Sequence, residues 1–300
     1  MKPKKIMIEM NKTITIGAQT DHPLTVSRLG YGTMRLPGDQ VWGEPKNREE
    51  ALEILRTAIA NGVNFLDTAD FYGDDITNKL IADALLPYHE HLVICTKVGV
   101  GRNPDKSWKV FDAPEDLRTS INRNLKTLKL EQIQLVHFRV MPNSNTPFEE
   151  ALETMFEMQK EGKILHIGLS NVNPEELTKG LSMGAIASVE NPFGYGQRSS
   201  FEFHGQQNRG LEEVMPLCIA NNITMIPFWS LQNSLPKNDD KIAAVAKKYG
   251  VSSAQINIAW LLHFHESLLP IPGTSQLTHL KENMAAIDIR LSDEDMSFLG

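Results

Sequence analysis

Apolar and polar residues recur along the chain in one repeating order: a short apolar run, a polar loop, then an amphipathic helix. Only the opening departs from it. Thr13–Ile16 and Leu24–Val26, joined through Gly17 to Pro23, read as a small hairpin. A strand near Leu29–Gly32 follows, then a long loop carrying Pro37, Gly38, Trp42, Gly43 and Pro45. Asn47 can cap the first helix with Glu50 as its capping-box partner. Ala51, Leu52, Leu55, Ala58 and Ile59 then recur at helical spacing, and Gly62 ends the helix. Further strands are predicted at Asn64–Asp67, Leu92–Lys97, Ile133–Phe138, His166–Leu169, Ala187–Asn191, Ile223–Phe228 and Leu268–Pro272. Helices near Thr77–Leu86, Pro114–Leu128, Phe148–Glu161, Pro174–Met183 and Leu211–Asn221 separate them. Asp240–Tyr249 and Ser253–His263 form a helical pair, and a helix near Thr278–Ile287 follows the last strand.

The strands are short, nearly all apolar and rich in Ile, Val and Leu, the mark of parallel strands buried on both faces. Strict alternation with helices means an α/β fold. Eight such units in about 250 residues fit a (β/α)8 TIM barrel. The expected organisation is one barrel domain over residues 1–300, with the hairpin at about 12–27 closing its bottom. A doubly wound dinucleotide fold would show G-x-G-x-x-G in its first βα turn. Gly30/Gly32, Gly99/Gly101 and Gly194/Gly196 each lack the third glycine.

Composition narrows the setting. The chain of 300 residues is 41 % hydrophobic and 22 % charged, a globular balance. Its net charge of −7 speaks against nucleic acid as a main partner. Apolar runs are too short to span a membrane or to form a signal-peptide core. The two cysteines, Cys95 and Cys218, lie in apolar surroundings and read as buried thiols in a reducing compartment. A cytoplasmic protein without metal, and a monomer, is expected.

In a barrel of this kind the active site lies at the C-terminal ends of the strands. Polar residues end three adjacent apolar runs: Asp67, Lys97 and His137. Tyr72 follows Asp67 by five residues, in the loop beyond that strand. Each has an ordinary structural reading when taken singly, as a turn cap, a snorkelling amine, a core imidazole or a packed ring. Together their roles match carbonyl reduction. A tyrosine can give a proton to the carbonyl oxygen, an adjacent ammonium favours its phenolate, and Asp67 can hold that ammonium. His137 can orient the substrate carbonyl.

At these residues the chain resembles the aldo-keto reductase family. The segment Gly62–Gly73, containing Asp67-Thr68-Ala69-Asp70-Phe71-Tyr72, is similar to the family signature whose Asp and Tyr are catalytic. Lys97 and His137 fall where the family places its lysine and histidine. Gly162–Asn171 resembles the block whose serine and asparagine, here Ser170 and Asn171, hold the nicotinamide carboxamide. Ile271-Pro272-Gly273-Thr274-Ser275, with His279, Glu282 and Asn283, resembles the adenosine end of the cofactor site. Ile226–Leu231, with Phe228 and Leu231, is similar to the pyrophosphate-side loop. Within the family, Asp70-Phe71-Tyr72-Gly73 with Thr77-Asn78, Pro87-Tyr88 and Arg139-Val140-Met141 is most similar to the bacterial pyridoxal-reductase-like branch.

The resemblance implies a barrel enzyme that reduces an aldehyde, such as pyridoxal, or a ketone with NADPH, NADH being the alternative. Glu190 and Phe193 stand where the family usually has Gln and Tyr. A carboxylate cannot donate to the carboxamide oxygen, whereas Phe193 retains a face for the nicotinamide ring. Gly273 and His279 replace a basic pair at the adenosine phosphate. Thr274, Ser275 and Gln276 remain able to bind a phosphate. Arg139, Trp42 and Trp108 are the expected substrate contacts, Arg139 for an anionic or phenolic oxygen; Trp229 is a further candidate. Other chemistries fit less well. His89-Glu90-His91 and His263-Phe264-His265-Glu266 lack a spaced third metal ligand. A glycosidase built on Asp67 and Asp70 leaves Lys97 and Tyr72 without a purpose. The alternative within the fold is a nucleotide-binding regulatory or channel-associated module with little turnover.

Overall fold

The computed structural model describes residues 11–203, 206–231 and 239–300. Its elements in chain order are β1 (Thr13–Ile16), β2 (Leu24–Ser27), β3 (Tyr31–Gly32), α1 (Arg48–Ala60), β4 (Phe65–Asp67), α2 (Ile76–Leu85), β5 (Val93–Arg102) and β6 (Trp108–Phe111). They continue with α3 (Pro114–Leu128), β7 (Ile133–Arg139), α4 (Phe148–Lys160), β8 (Ile164–Ser170), α5 (Pro174–Met183) and β9 (Ser188–Pro192). The last part holds β10 (Phe201–Phe203), β11 (Gln206–Asn208), α6 (Leu211–Ala220), β12 (Thr224–Phe228), α7 (Asp240–Tyr249), α8 (Ser253–Phe264), α9 (Leu277–Ala285) and α10 (Asp293–Leu299).

Parallel strands run in the order β3-β4-β5-β7-β8-β9-β12. The segment expected as the last strand is reduced to one bridge, Met225 to Leu268. Pro270 and Pro272 lack the N–H that a ladder requires, which keeps this stave short. It nevertheless closes the ring: Leu269 N donates to Met225 O at 2.8 Å, and Gly30 N donates to Pro270 O at 2.9 Å. The α/β barrel expected from the strand count is therefore present, with β1 and β2 paired antiparallel as its N-terminal hairpin.

Two faces of the strands are buried. Inside the ring, Phe65, Val93, Leu135, Ala187, Ile226 and Leu269 pack together, and Ile16 and Val26 of the hairpin join them. Outside, the strands pack against the helices in larger apolar clusters that include Trp260 and Phe138 on one side and Leu55 and Leu80 on another. The helices begin where the sequence suggests. The Asn47 side chain accepts from Glu50 N, and Asn173 and Ser252 form capping boxes with Glu176 and Gln255.

Four elements escape a reading based on burial period: β6, β10, β11 and α10. β6 doubles back on the extended end of β5, β10 pairs with β11, and α10 closes the described chain. β6 and the β10–β11 pair form hairpins raised above the strand ends, with no apolar stripe of their own.

Parallel register sets the chemistry. Cys95 pairs with Asp67, Lys97 with His137, and Ser170 with both Arg139 and Glu190. Since alternate residues share one face, Asp67, Lys97, His137, Arg139 and Glu190 all turn into the ring.

The closing seam leaves no room for a side chain. A Cβ at Gly32 would lie 2.6 Å from Ile271 O, and one at Gly273 would lie 2.5 Å from Gly32 O. Both obstacles are backbone atoms that cannot rotate away. Gly32→Ala is expected to cost about 1–3 kcal/mol by forcing the seam apart, read as a lowered urea midpoint against the parent protein.

Candidate active site

Asp67 ends β4, and the chain turns sharply after it. Tyr72 N donates to Ala69 O at 3.1 Å, and Asp75 N donates to Asp70 O at 2.8 Å. Asp74 and Asp75 take positive φ at 56° and 70° before α2 begins, a conformation that Asp tolerates better than most residues. The turn is fastened to α3: Ser120 Oγ donates to Asp70 Oδ2 at 2.6 Å, and Arg123 Nε donates to Asp75 Oδ2 at 2.6 Å. Behind the strand ends, Thr68 Oγ1 and Asn78 Nδ2 join Asn78 and Asn124, while Thr96 Oγ1 donates to Asn124 Oδ1 at 2.7 Å. This fastening holds the Tyr72 ring over the strand ends, edge-on against Phe71 at 5.2 Å.

Lys97 rises from β5 between two acids. Its Nζ donates to both Asp67 oxygens at 2.5 Å and to Thr68 O at 3.3 Å. Glu190 Oε1 lies 3.4 Å away on the opposite side. The Tyr72 ring centroid is 5.3 Å from the ammonium. All four side chains are buried. Burial works against the Lys97 charge, yet Asp67 and Glu190 outweigh it and hold the ammonium well above its ordinary range. Burial raises the Tyr72 phenol above its usual value; Lys97 pulls it down, while Asp67 and Glu190 push it up. The expected lowering by Lys97 is thus present but does not win, and the phenol keeps its proton.

His137 joins this group from below rather than facing the cavity. Its ring is fully buried, with Nδ1 3.0 Å from Cys95 Sγ and Nε2 2.8 Å from Ser188 Oγ. The absence of a side chain at Gly168 makes the space for it, since a Cβ there would lie 2.3 Å from His137 Cδ2. Burial and then Lys97 hold the imidazole neutral, well below its usual value. The imidazole expected to orient a carbonyl is not among the residues that line the cavity. Arg139, two residues on and on the same face, reaches the cavity instead.

The cavity above these groups measures about 740 Å³ and is walled by Phe71, Val100, Trp108, Met141, Phe228 and Trp229. Arg139 donates to Ser170 Oγ and Asn208 Oδ1, both at 3.3 Å, and stands 5.1 Å from the Phe228 ring. Trp108 lines the wall with Arg102 stacked 4.1 Å from its ring. Trp42 lies outside the lining, its ring 5.5 Å from the same guanidinium.

A second cavity of about 820 Å³ continues from the first, sharing Met34, Arg35, Gln40, Val41, Leu231 and Gly273 with it. Thr274, Ser275, His279, Glu282 and Asn283 line its far end, as the resemblance implied for an adenosine site. Arg35 and Lys46, not singled out from the sequence, supply cations on its opposite wall. Their position in a long loop without periodicity gave no signal.

Three expected cofactor residues lie elsewhere. Phe193 is buried in the outer core, 5.2 Å from Phe264 and 5.8 Å from Trp260, because the chain leaves the ring after β9. Phe228, and not Phe193, lines the cavity. Ser170 and Asn171 sit beneath the β10–β11 hairpin. The Asn171 amide donates to Val140 O at 2.9 Å and Gln207 O at 3.3 Å, and its oxygen accepts from Arg209 N at 2.9 Å. Its hydrogen bonds are thus spent on backbone in this structure.

Among the described residues, Asp67, Cys95 and His137 form a group of ligand atoms close enough for a metal. Lys97 already neutralises Asp67 there. His91 pairs with Glu90 at 3.1 Å, and His263 Nδ1 bonds Ala259 O at 2.7 Å.

Comparison with known proteins agrees with this geometry. Residues 28–299 match the aldo/keto reductase family profile. The chain is 36 % identical over 294 residues to pyridoxine 4-dehydrogenase of Escherichia coli, covering 96 % of this chain and 97 % of that protein. A thermostable aldo-keto reductase crystallised with the inhibitor epalrestat superposes with a TM-score of 0.81 at 28 % identity, covering 96 % of this chain and 98 % of that one. An aldo-keto reductase from Klebsiella pneumoniae in complex with NADPH has the same fold, with a TM-score of 0.75 at 23 % identity, covering 97 % and 94 %. With the family profile spanning nearly the whole chain and the barrel gathering Asp67, Lys97 and Tyr72 at its strand ends, this protein belongs to the aldo/keto reductase family.

Proposed function

We propose that this protein is an NADPH-dependent carbonyl reductase that uses Tyr72 as its proton donor. The observation that carries the reading is the buried Lys97–Asp67 pair beside Tyr72 on the floor of a groove long enough for an extended cofactor. The residues present suit such a group. The two connected cavities offer an aromatic face at Phe228, a buried Glu190 oxygen without a hydrogen-bond partner among the described residues, and cations at Arg35 and Lys46.

The nicotinamide supplies a hydride to the carbonyl carbon when bound. Tyr72 gives its proton to the carbonyl oxygen, so no free alkoxide forms. Lys97 stabilises the phenolate left behind, and Asp67 holds Lys97 in place. Solvent returns the proton to Tyr72 after release of the alcohol. Glu190 and Phe228 receive the nicotinamide end. Leu231, Gly273, Thr274, Ser275, His279, Glu282 and Asn283 receive the remainder. His137 supports Cys95 and Ser188 from beneath.

For the substrate, an aromatic aldehyde with an anionic oxygen fits best. The walls are apolar and aromatic, and Arg139 is a half-buried guanidinium with no carboxylate within ion-pair reach among the described residues. Pyridoxal has this chemistry, and the Escherichia coli relative is named for the corresponding alcohol.

Tyr72→Phe should lower NADPH oxidation with pyridoxal by about 10²–10⁴-fold, the usual worth of a positioned general acid, with NADPH binding retained. Cofactor binding without aldehyde turnover by the parent protein would favour a nucleotide-binding module instead.

Arg139→Ala should raise KM for pyridoxal by about tenfold, the loss of one charge-assisted contact, and leave KM for an uncharged benzaldehyde nearly unchanged. Equal effects on both substrates would remove Arg139 from recognition.

Lys97→Met should destabilise the fold by about 3–5 kcal/mol at pH 7, because it leaves the buried Asp67 carboxylate unpaired. Without the ammonium the Asp67 pKa rises further, so the acid becomes neutral as pH falls. The loss should therefore shrink between pH 8 and pH about 5, as followed by urea unfolding.

A further inference from the structure

Glu190 is the one acid of this buried group that takes no part in proton transfer or in holding Lys97 through both its oxygens. It sits in the middle of β9 at 1 % exposure and still lines the reaction cavity. Its Oε1 shares the Lys97 ammonium, at 3.4 Å, with an Asp67 that already binds it through both oxygens at 2.5 Å. Its Oε2 lies 3.2 Å from His137 Nδ1 but makes no hydrogen bond, that nitrogen being engaged with Cys95 Sγ at 3.0 Å.

Residues from several strands of the ring set its charge state. Asp67 faces it from β4, Lys97 and Cys95 from β5, and His137 and Arg139 from β7; Tyr72 faces it from the loop after β4. From β12 its register partner is Ile226, which brings no charge. Arg139 attracts it but is turned toward Ser170 and Asn208, outside ion-pair distance. Lys97 is thus the close cation for two acids, and Asp67 has the better geometry. Glu190 is the acid left to hold a proton.

We propose that Glu190 reads the charge of the nicotinamide, staying a neutral acid opposite the reduced ring and ionising opposite the oxidised, positively charged ring. This rests on the reductase reading above. A neutral carboxylic acid carries one donor and one acceptor, as the side-chain amide of Gln does, so Glu190 in this state can bond both ends of a carboxamide. The limitation expected for a carboxylate at this position then applies only to the ionised form. Burial, and next Asp67, hold the Glu190 pKa at about 8, so it is neutral at pH 7 in the absence of a nearby ligand charge. A cation brought into the cavity lowers that value, and by linkage its binding releases a proton. An uncharged ring has no such effect. The oxidised cofactor is therefore favoured relative to the reduced one as pH rises, which biases the site toward alcohol oxidation at high pH.

Calorimetric titration of the full-length protein with NADP+ and with NADPH at pH 7, in buffers of differing ionisation enthalpy, tests this. The adenosine phosphate is common to both nucleotides, so its protonation cancels in the difference. NADP+ should release about half a proton or more in excess of NADPH, and E190Q should abolish that excess. In the parent protein alone, the ratio Kd(NADPH)/Kd(NADP+) should rise about tenfold between pH 6 and pH 9, a readout that needs no variant. Equal proton release by the two nucleotides, a flat ratio, or the same excess in E190Q overturns the proposal while leaving the reductase reading intact. Failure of the parent protein to bind either nucleotide overturns both.

Discussion

A lysine ammonium and an aspartate carboxylate, both withdrawn from water, sit at the centre of this molecule. Neither Asp67 nor Lys97 could be buried singly, because the desolvation of an isolated charge exceeds what packing returns. Paired at 2.5 Å, with Thr68 O as a further acceptor, they become tolerable. The surrounding structure supplies the geometry that keeps them paired. Parallel register brings β4 beside β5, and the Asn78–Asn124 bonds fasten the helices behind them. The turn that carries Tyr72 is tied to α3 through Asp70 and Asp75.

Small residues and prolines then decide how the ring closes around that pair. Gly32 and Gly273 allow the first and last staves to approach backbone to backbone, and Gly168 opens the pocket for His137. The prolines at 270 and 272 shorten the last stave while Pro270 O still accepts the closing bond from Gly30. The same seam borders both cavities, so barrel closure and the groove share their residues.

Where expectation and structure part, the cause is three-dimensional. His137 and Arg139 share a face, and a period of two cannot say which of them reaches the open end. The bonds to Cys95 and Ser188 place His137 below, and Arg139 takes the cavity. Phe193 and Phe228 are both aromatic residues at or beyond a strand end. The chain bends outward after β9, which commits Phe193 to the Trp260 core. Ser170 and Asn171 are covered by a hairpin, β10–β11, whose short strands leave no periodic trace.

The sequence by itself determined the barrel, its helix caps and the alignment of Asp67, Tyr72 and Lys97. Burial on both faces imposes apolar runs, capping imposes residue types, and a strand that ends in a charge announces the open end of the ring. Tertiary structure alone decided that Glu190 shares Lys97 with Asp67, that His137 lies beneath the floor, and that Arg35 and Lys46 line the second cavity of the groove. These are relations between residues distant in the chain. They depend on register and loop path at the scale of an ångström, which local propensity and hydrophobic period do not encode.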